Sequence, residues 1–84
     1  MNYPIVVEVS LRAGIADPEG ATIERALPAL GFAGVANVRA GKAFRLTVEA
    51  PNEDEALSLA QALADRLLSN PVIEQSTVRV ETHS

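Results

Sequence analysis

The stretch Asp17-Pro18-Glu19-Gly20-Ala21-Thr22-Ile23-Glu24-Arg25-Ala26-Leu27-Pro28-Ala29-Leu30-Gly31, with Val38-Arg39-Ala40-Gly41-Lys42 a few residues on, sets the order of elements in this chain. Asp17 is suited to cap a helix, and Pro18 to fill its first position, where a missing N–H costs nothing. Ile23, Ala26, Leu27 and Leu30 fall at helical spacing and form an apolar stripe. Gly31 suits a left-handed C-cap. Pro28 removes the hydrogen bond to the Glu24 carbonyl, so the helix should run clean to about Leu27 and bend beyond it.

Before this stretch, Tyr3 to Arg12 alternates with period two. Ile5, Val7, Val9 and Leu11 point one way, and Val6, Glu8, Ser10 and Arg12 the other, which predicts a strand with one buried face. After it, Val35 to Ala40 reads as a short strand. Gly41-Lys42 then fits a two-residue hairpin leading into a strand over Ala43 to Ala50. One long bent strand from Val35 to Ala50, bulged at Gly41, fits the same residues. Asn52 and Glu55 are placed as N-cap and N3 of a second helix, with Glu53, Asp54 and Glu55 in its first turn, where the helix dipole favours acids. Its expected apolar face is Ala56, Ala60, Leu63 and Leu67, widened by Leu59, Ala64 and Leu68. Asn70-Pro71 ends it, and Val72 to Glu81 reads as the last strand.

The expected order is therefore β-α-β-β-α-β. It implies an α+β, ferredoxin-like fold: a four-stranded antiparallel sheet with two helices on one face. The other face, with Val6, Ser10, Ala43, Arg45 and Thr47, reads as too mild for a charged solvent face. A dimer formed through it or through a sheet edge is the first expectation. A single domain over residues 1–81 with a flexible tail at 82–84 completes the organisation.

Composition narrows the functional classes. Eighty-four residues form one small core, burying roughly 60–65% of the unfolded surface. The chain is 48% apolar with two Phe, one Tyr and no Trp, so that core is aliphatic, and the surplus apolar surface points to self-association. A net charge of −4 without a basic run argues against nucleic acid. The absence of cysteine removes disulfides, thiolate catalysis and Cys-based zinc sites. The one histidine, His83, lies in the expected tail, so Ser10, Ser58, Ser69, Ser76 and Ser84 lack a base for a triad. No stretch is long and apolar enough to span a membrane, and no signal pattern opens the chain, so a cytoplasmic protein is expected.

The remaining candidate sites have structural readings beside functional ones. Glu53, Asp54 and Glu55 point about 100° apart from one another, so they cannot converge on a cation. Asp17-Pro18-Glu19-Gly20 offers helical N–H groups to an anion, but capping alone explains it. Arg39-Ala40-Gly41-Lys42 sets two cations around a glycine. A polar hairpin tip and a partner-docking patch both fit it, while a phosphate-binding loop would be longer and richer in glycine.

Three segments carry a resemblance. Leu11-Arg12-Ala13-Gly14-Ile15-Ala16-Asp17-Pro18-Glu19-Gly20 is similar to the leading signature of the PurS family, the small subunit of glutamine-dependent phosphoribosylformylglycinamidine synthase in purine biosynthesis. Val38-Arg39-Ala40-Gly41-Lys42 and Leu67-Leu68-Ser69-Asn70-Pro71-Val72-Ile73-Glu74 resemble its second and third signatures. Ala13 stands where the family usually has proline, and Pro28 is a less familiar choice. The resemblance implies a non-catalytic subunit, a homodimer or homotetramer, that bridges a synthetase (PurL) and a glutaminase (PurQ) and supports ammonia transfer. ATP and magnesium would be used by the synthetase, with no cofactor or metal in this chain. Asp17, Pro18, Gly20, Arg39, Gly41, Lys42, Asn70 and Pro71 belong to the family pattern. Arg39 and Lys42, then Asp17 and Asn70, are the candidates for partner contact; Pro18, Gly20, Gly41 and Pro71 are the candidates for shaping the backbone. An ACT-like ligand-sensing module and a structural dimer unrelated to purines stay open as alternatives.

Overall fold

The alternation of Ile5, Val7 and Val9 does place a strand at the centre of the molecule. A computed structural model describes residues 1–81; the expected tail, with His83, lies outside the described residues. The elements are β1 (Asn2–Leu11), α1 (Pro18–Ala26), β2 (Gly41–Glu49), α2 (Glu53–Leu63) and β3 (Glu74–Val80). A 3-10 turn at Pro28–Leu30 follows α1, and a π-helical turn at Ala64–Leu68 follows α2. The sheet is antiparallel in the order β2-β1-β3.

Register separates its two faces. Val7 stands opposite Phe44 and Val78, and Ile5 opposite Leu46 and Val80, so one face is aliphatic. α2 and the turn that follows it pack on that face through Ala56, Ala60 and Ala64, all fully buried in one cluster with Ile5, Val7, Val9 and Val48. Small residues four apart let the helix approach the sheet closely. Each fully buried Ile or Val contributes roughly 1.5–3 kcal/mol, which makes this layer the main source of stability. Asn52 caps α2 as expected, its side chain accepting from the Glu55 N–H at 2.8 Å.

Beyond Leu63 the helix departs from the expected face. The Ser69 N–H bonds the Ala64 carbonyl at 2.9 Å, and the Ser69 hydroxyl donates to the same oxygen at 2.8 Å. This wider turn shifts the angular phase of the residues that follow. Leu67 is consequently 75% exposed; within the regular part of α2, Leu59 is also 52% exposed, so the buried stripe is the narrower one of Ala56, Ala60 and Ala64.

The fourth expected strand is absent. Residues 35–40 run without ladder partners, and β2 begins at Gly41, so neither the hairpin at Gly41-Lys42 nor the long bent strand is formed. Gly41 and Lys42 instead pair with Ser10 and Val9 of β1. Asn37 has a φ of 60°, which interrupts extension. The N–H groups of Val38 and Ala40 are taken by side chains of α1 and its cap. A strand there would have to give up those bonds. β3 likewise begins at Glu74 instead of Val72, because Asn70 draws the preceding residues into a turn: the N–H groups of Ile73 and Glu74 both bond its carbonyl.

The open face also differs from expectation. Arg45 and Arg79 flank Val6, ion-paired to Glu81 (3.1 Å) and Glu8 respectively. Val6, between them in register, is buried. This is a charged face.

α1 packs on no strand to any extent; only α2 covers the sheet. Pro28 ends α1 as anticipated, and Gly31 takes the left-handed cap. Together, α1, the 3-10 turn and the return segment make an arm. The molecule measures 51 × 34 × 14 Å with a radius of gyration of 16.1 Å, against about 12 Å for a compact chain of this length. Its accessible surface of 5997 Å² exceeds the ~4,800 Å² expected from its size by about 1,200 Å².

Candidate functional site: the neck of the arm

Where the arm leaves the sheet, three separate segments meet around the end of β1. Asp17 organises them. One carboxylate oxygen accepts from the Gly20 N–H at 3.0 Å, capping α1, and the other accepts from the Ala40 N–H at 2.7 Å, just before β2. Glu24, two helical turns along the same side of α1, accepts from the Val38 N–H at 2.8 Å. The N–H groups of Gly20 and Ala40, in that order, and then the charge of Arg39 hold the Asp17 carboxyl below its usual 3.8.

Gly20 allows this approach. A Cβ there would lie 2.5 Å from Asp17 Oδ2 and 2.6 Å from the Val38 carbonyl oxygen, so any larger residue pushes the return segment away. Gly41 sits similarly close to the Val9 carbonyl, 2.9 Å from where its Cβ would be. Pro18 fills the first turn of α1, and its carbonyl accepts from the Thr22 hydroxyl at 2.8 Å.

The third segment joins from the other side. The Arg12 N–H bonds the Ile73 carbonyl at 2.8 Å, and its guanidinium bonds the Pro71 carbonyl at 3.0 Å. Asn70 shapes this turn: its side chain accepts from the Val72 N–H at 3.1 Å, and its own N–H donates to Glu74 Oε1 at 2.7 Å. Glu74 in turn lies 4.0 Å from the ammonium of Lys42, which also stands 5.8 Å over the Phe44 ring. Arg39 reaches the Leu11 carbonyl at 3.4 Å. Both Arg39 and Lys42 remain exposed.

All eight residues singled out from the sequence thus lie in or beside one neck. Asp17 joins Gly20 to Ala40, which stands between Arg39 and Gly41, while Asn70 and Pro71 join through Glu74 and Arg12. Three contributors escaped sequence reasoning. Glu24 had a usable signal, since Asp17, Gly20 and Glu24 fall on one stripe of the helix. Arg12 and Glu74 had none beyond lying inside matched segments. The hollows beside the neck are open; one of about 510 Å³ is lined by Ile15, Asp17, Glu24, Arg25, Val38 and Arg39, among others. Among the described residues no group of three or more His, Asp or Glu side chains is placed to hold a metal ion.

Comparison with known proteins gives this geometry its context. Residues 4–82 match the family described as "PurS: Phosphoribosylformylglycinamidine (FGAM) synthase". The phosphoribosylformylglycinamidine synthase subunit PurS of Mycobacterium leprae is 43% identical over 77 residues, covering 92% of this chain and 94% of that protein. The crystal structure of the purS subunit from Thermotoga maritima superposes with a TM-score of 0.89 at 34% identity, covering 96% of this chain and 93% of that one. A chain in the structure of PurLQS from Thermotoga maritima gives a TM-score of 0.88 at 34% identity, covering 96% and 99%. The match runs through the sheet, the arm and the neck alike, and the chain belongs to the PurS family of phosphoribosylformylglycinamidine synthase subunits.

Proposed function

We propose that this chain is the non-catalytic small subunit of a glutamine-dependent phosphoribosylformylglycinamidine synthase in purine biosynthesis, joining a PurL-type synthetase to a PurQ-type glutaminase and supporting ammonia transfer between them. Family membership and the likeness to a chain of a PurLQS structure support this reading. The observation that carries it is the neck. It brings the family-pattern residues together, holds their backbone with carboxylates, and leaves Arg39 and Lys42 exposed for a partner surface. ATP and magnesium belong to the synthetase in this scheme, and the complex works in the cytoplasm. Among the described residues no helix is long and apolar enough to cross a membrane.

The same reading includes self-association, as a dimer or tetramer. The surplus surface of about 1,200 Å² is comparable to the roughly 800 Å² per partner of a standard interface. Ile23, Leu30 and Phe32 on the arm are exposed, while Phe44 and Leu46 on the aliphatic face are only partly covered by α2. A second copy supplies apolar surface of matching character to both. The charged open face is a poorer candidate, since burying its ion pairs carries a desolvation penalty.

Reconstitution with the cognate synthetase and glutaminase tests the function. Product formation is followed with glutamine and then with free ammonium, each with and without this chain. Glutamine-driven turnover should need the chain and ammonium-driven turnover should not. Arg39→Glu and Lys42→Glu should each weaken glutamine-driven turnover by about tenfold at limiting subunit concentration. Equal glutamine-driven turnover with and without the chain would reject the bridging role.

A further inference from the structure

The arm lies between Leu11, where β1 ends, and Gly41, where β2 begins, and its neck closes between Asp17 and Ala40, 23 positions apart. At its neck the outgoing and returning strands of chain are tied by two carboxylates, Asp17 to the Ala40 N–H and Glu24 to the Val38 N–H. Elsewhere the arm has little to fix its direction, because α1 packs on no strand to any extent and is largely exposed. Flexible backbone is available on the outgoing side, where Gly14 adopts a φ of 86° with open space around it. Each N–H···carboxylate bond is charge-assisted and directional, so the pair resists both opening and twisting of the neck.

We propose that Asp17 and Glu24 form a carboxylate staple whose role, beyond capping α1, is to close the neck and fix the direction in which the arm presents its apolar stripe. Asp17 is a positioning residue in this scheme, acting on Ile23, Leu30 and Phe32 at a distance. Gly20 is part of the same device, since only the absence of a Cβ lets the return segment reach both acids. The inference deepens the self-association reading but is tested without it.

The test separates capping from stapling. Asp17→Ser keeps one oxygen within reach of the Gly20 N–H, but the shorter side chain has no second acceptor for Ala40. Amide exchange on the full chain should then speed up at Ala40 by about tenfold or more, with Gly20 and the β1 amides of Ile5 and Val7 unchanged. The chain has no cysteine, so spin labels at Ala33→Cys and Thr47→Cys, diluted into unlabelled protein, report arm direction within one copy. The distance distribution should be narrow in the parent chain and broad in the Asp17→Ser variant. Should exchange at Ile5 and Val7 show that this variant has lost its fold, Glu24→Ala leaves the cap intact and carries the same test at Val38. Unchanged exchange at Ala40 (or at Val38 in Glu24→Ala), or an unchanged distance distribution, overturns the staple. Neither outcome bears on the reconstitution result.

Discussion

The layer formed by the sheet and α2 and the arm formed by α1 and its return segment are built from similar residues to opposite ends. In the layer, Ile5, Val7, Ala56, Ala60 and Ala64 are fully buried, and hydrophobic contact fixes their positions. In the arm, Ile23, Leu30, Phe32 and Val35 are exposed, and hydrogen bonds from two carboxylates supply the fixing. One region closes its central core within a single chain, leaving only Phe44 and Leu46 at its margin partly covered. The other carries an apolar stripe that its own sheet does not receive. An amphipathic helix normally gains most of its stability by docking that stripe, and in the proposed reading a second copy receives it.

If this contrast holds, damage to the two regions should read out differently. Ile5→Ala empties space between α2 and the sheet and should cost about 2–5 kcal/mol in chemical denaturation, with every amide in the protein losing protection together. A smaller effect confined to the arm would show that the layer is not the dominant unit. Gly20→Ala drives a Cβ into the Val38 carbonyl. The collision should outweigh the better helix propensity of alanine, for a net loss of about 1–2 kcal/mol. The loss should appear as faster exchange in α1 and residues 38–40, while β1 amides stay protected. A uniform loss would mean that arm and layer unfold as one.

The smallest effect is with pH. The Asp17 carboxyl is depressed first by the Gly20 N–H, then by the Ala40 N–H, then by Arg39, so the folded state favours its ionised form. Its contribution is fully present above the ordinary value of 3.8 and disappears as pH falls through the lower folded value. Glu24, Arg25 and Arg39 line one side of this region, and Glu19, Lys42 and Glu74 the other. Exchange at Ala40 should therefore accelerate, beyond its intrinsic pH dependence, only below about pH 4. An Asp17→Ser variant should lack that acceleration.

Much of the layer was readable because it rests on local signals. The Asn52 cap is satisfied three residues away, as is the Asp17 cap at the start of the arm, and period two in Tyr3 to Arg12 marks a buried face whichever strands pair with it. The misreadings share a different cause. Val35 and Val38 look like strand residues, yet their segment is held by Asp17 and Glu24, 23 and 14 residues away from the N–H groups they accept from. No periodicity reports such a bond. Leu67 was placed on the buried face because helical phase was carried through a turn that the Ala64 carbonyl widens. The open face looked mild because Glu8 and Glu81 are paired to Arg79 and Arg45 only once strand register is known. The site residues were legible as family motifs. That they share one neck was not, because three segments meet only through long-range hydrogen bonds.

The contrast between a layer with a closed core and an arm without one is tested most directly by sedimentation equilibrium of the isolated chain, beside Leu30→Ser. Leu30 is 68% exposed, so the substitution should change the stability of one chain by less than about 0.5 kcal/mol. The account predicts that the parent chain sediments with the mass of two chains or more and that Leu30→Ser shifts it toward the mass of one. A parent chain that sediments as a single copy, at concentrations where the reconstituted synthase is active, would contradict it.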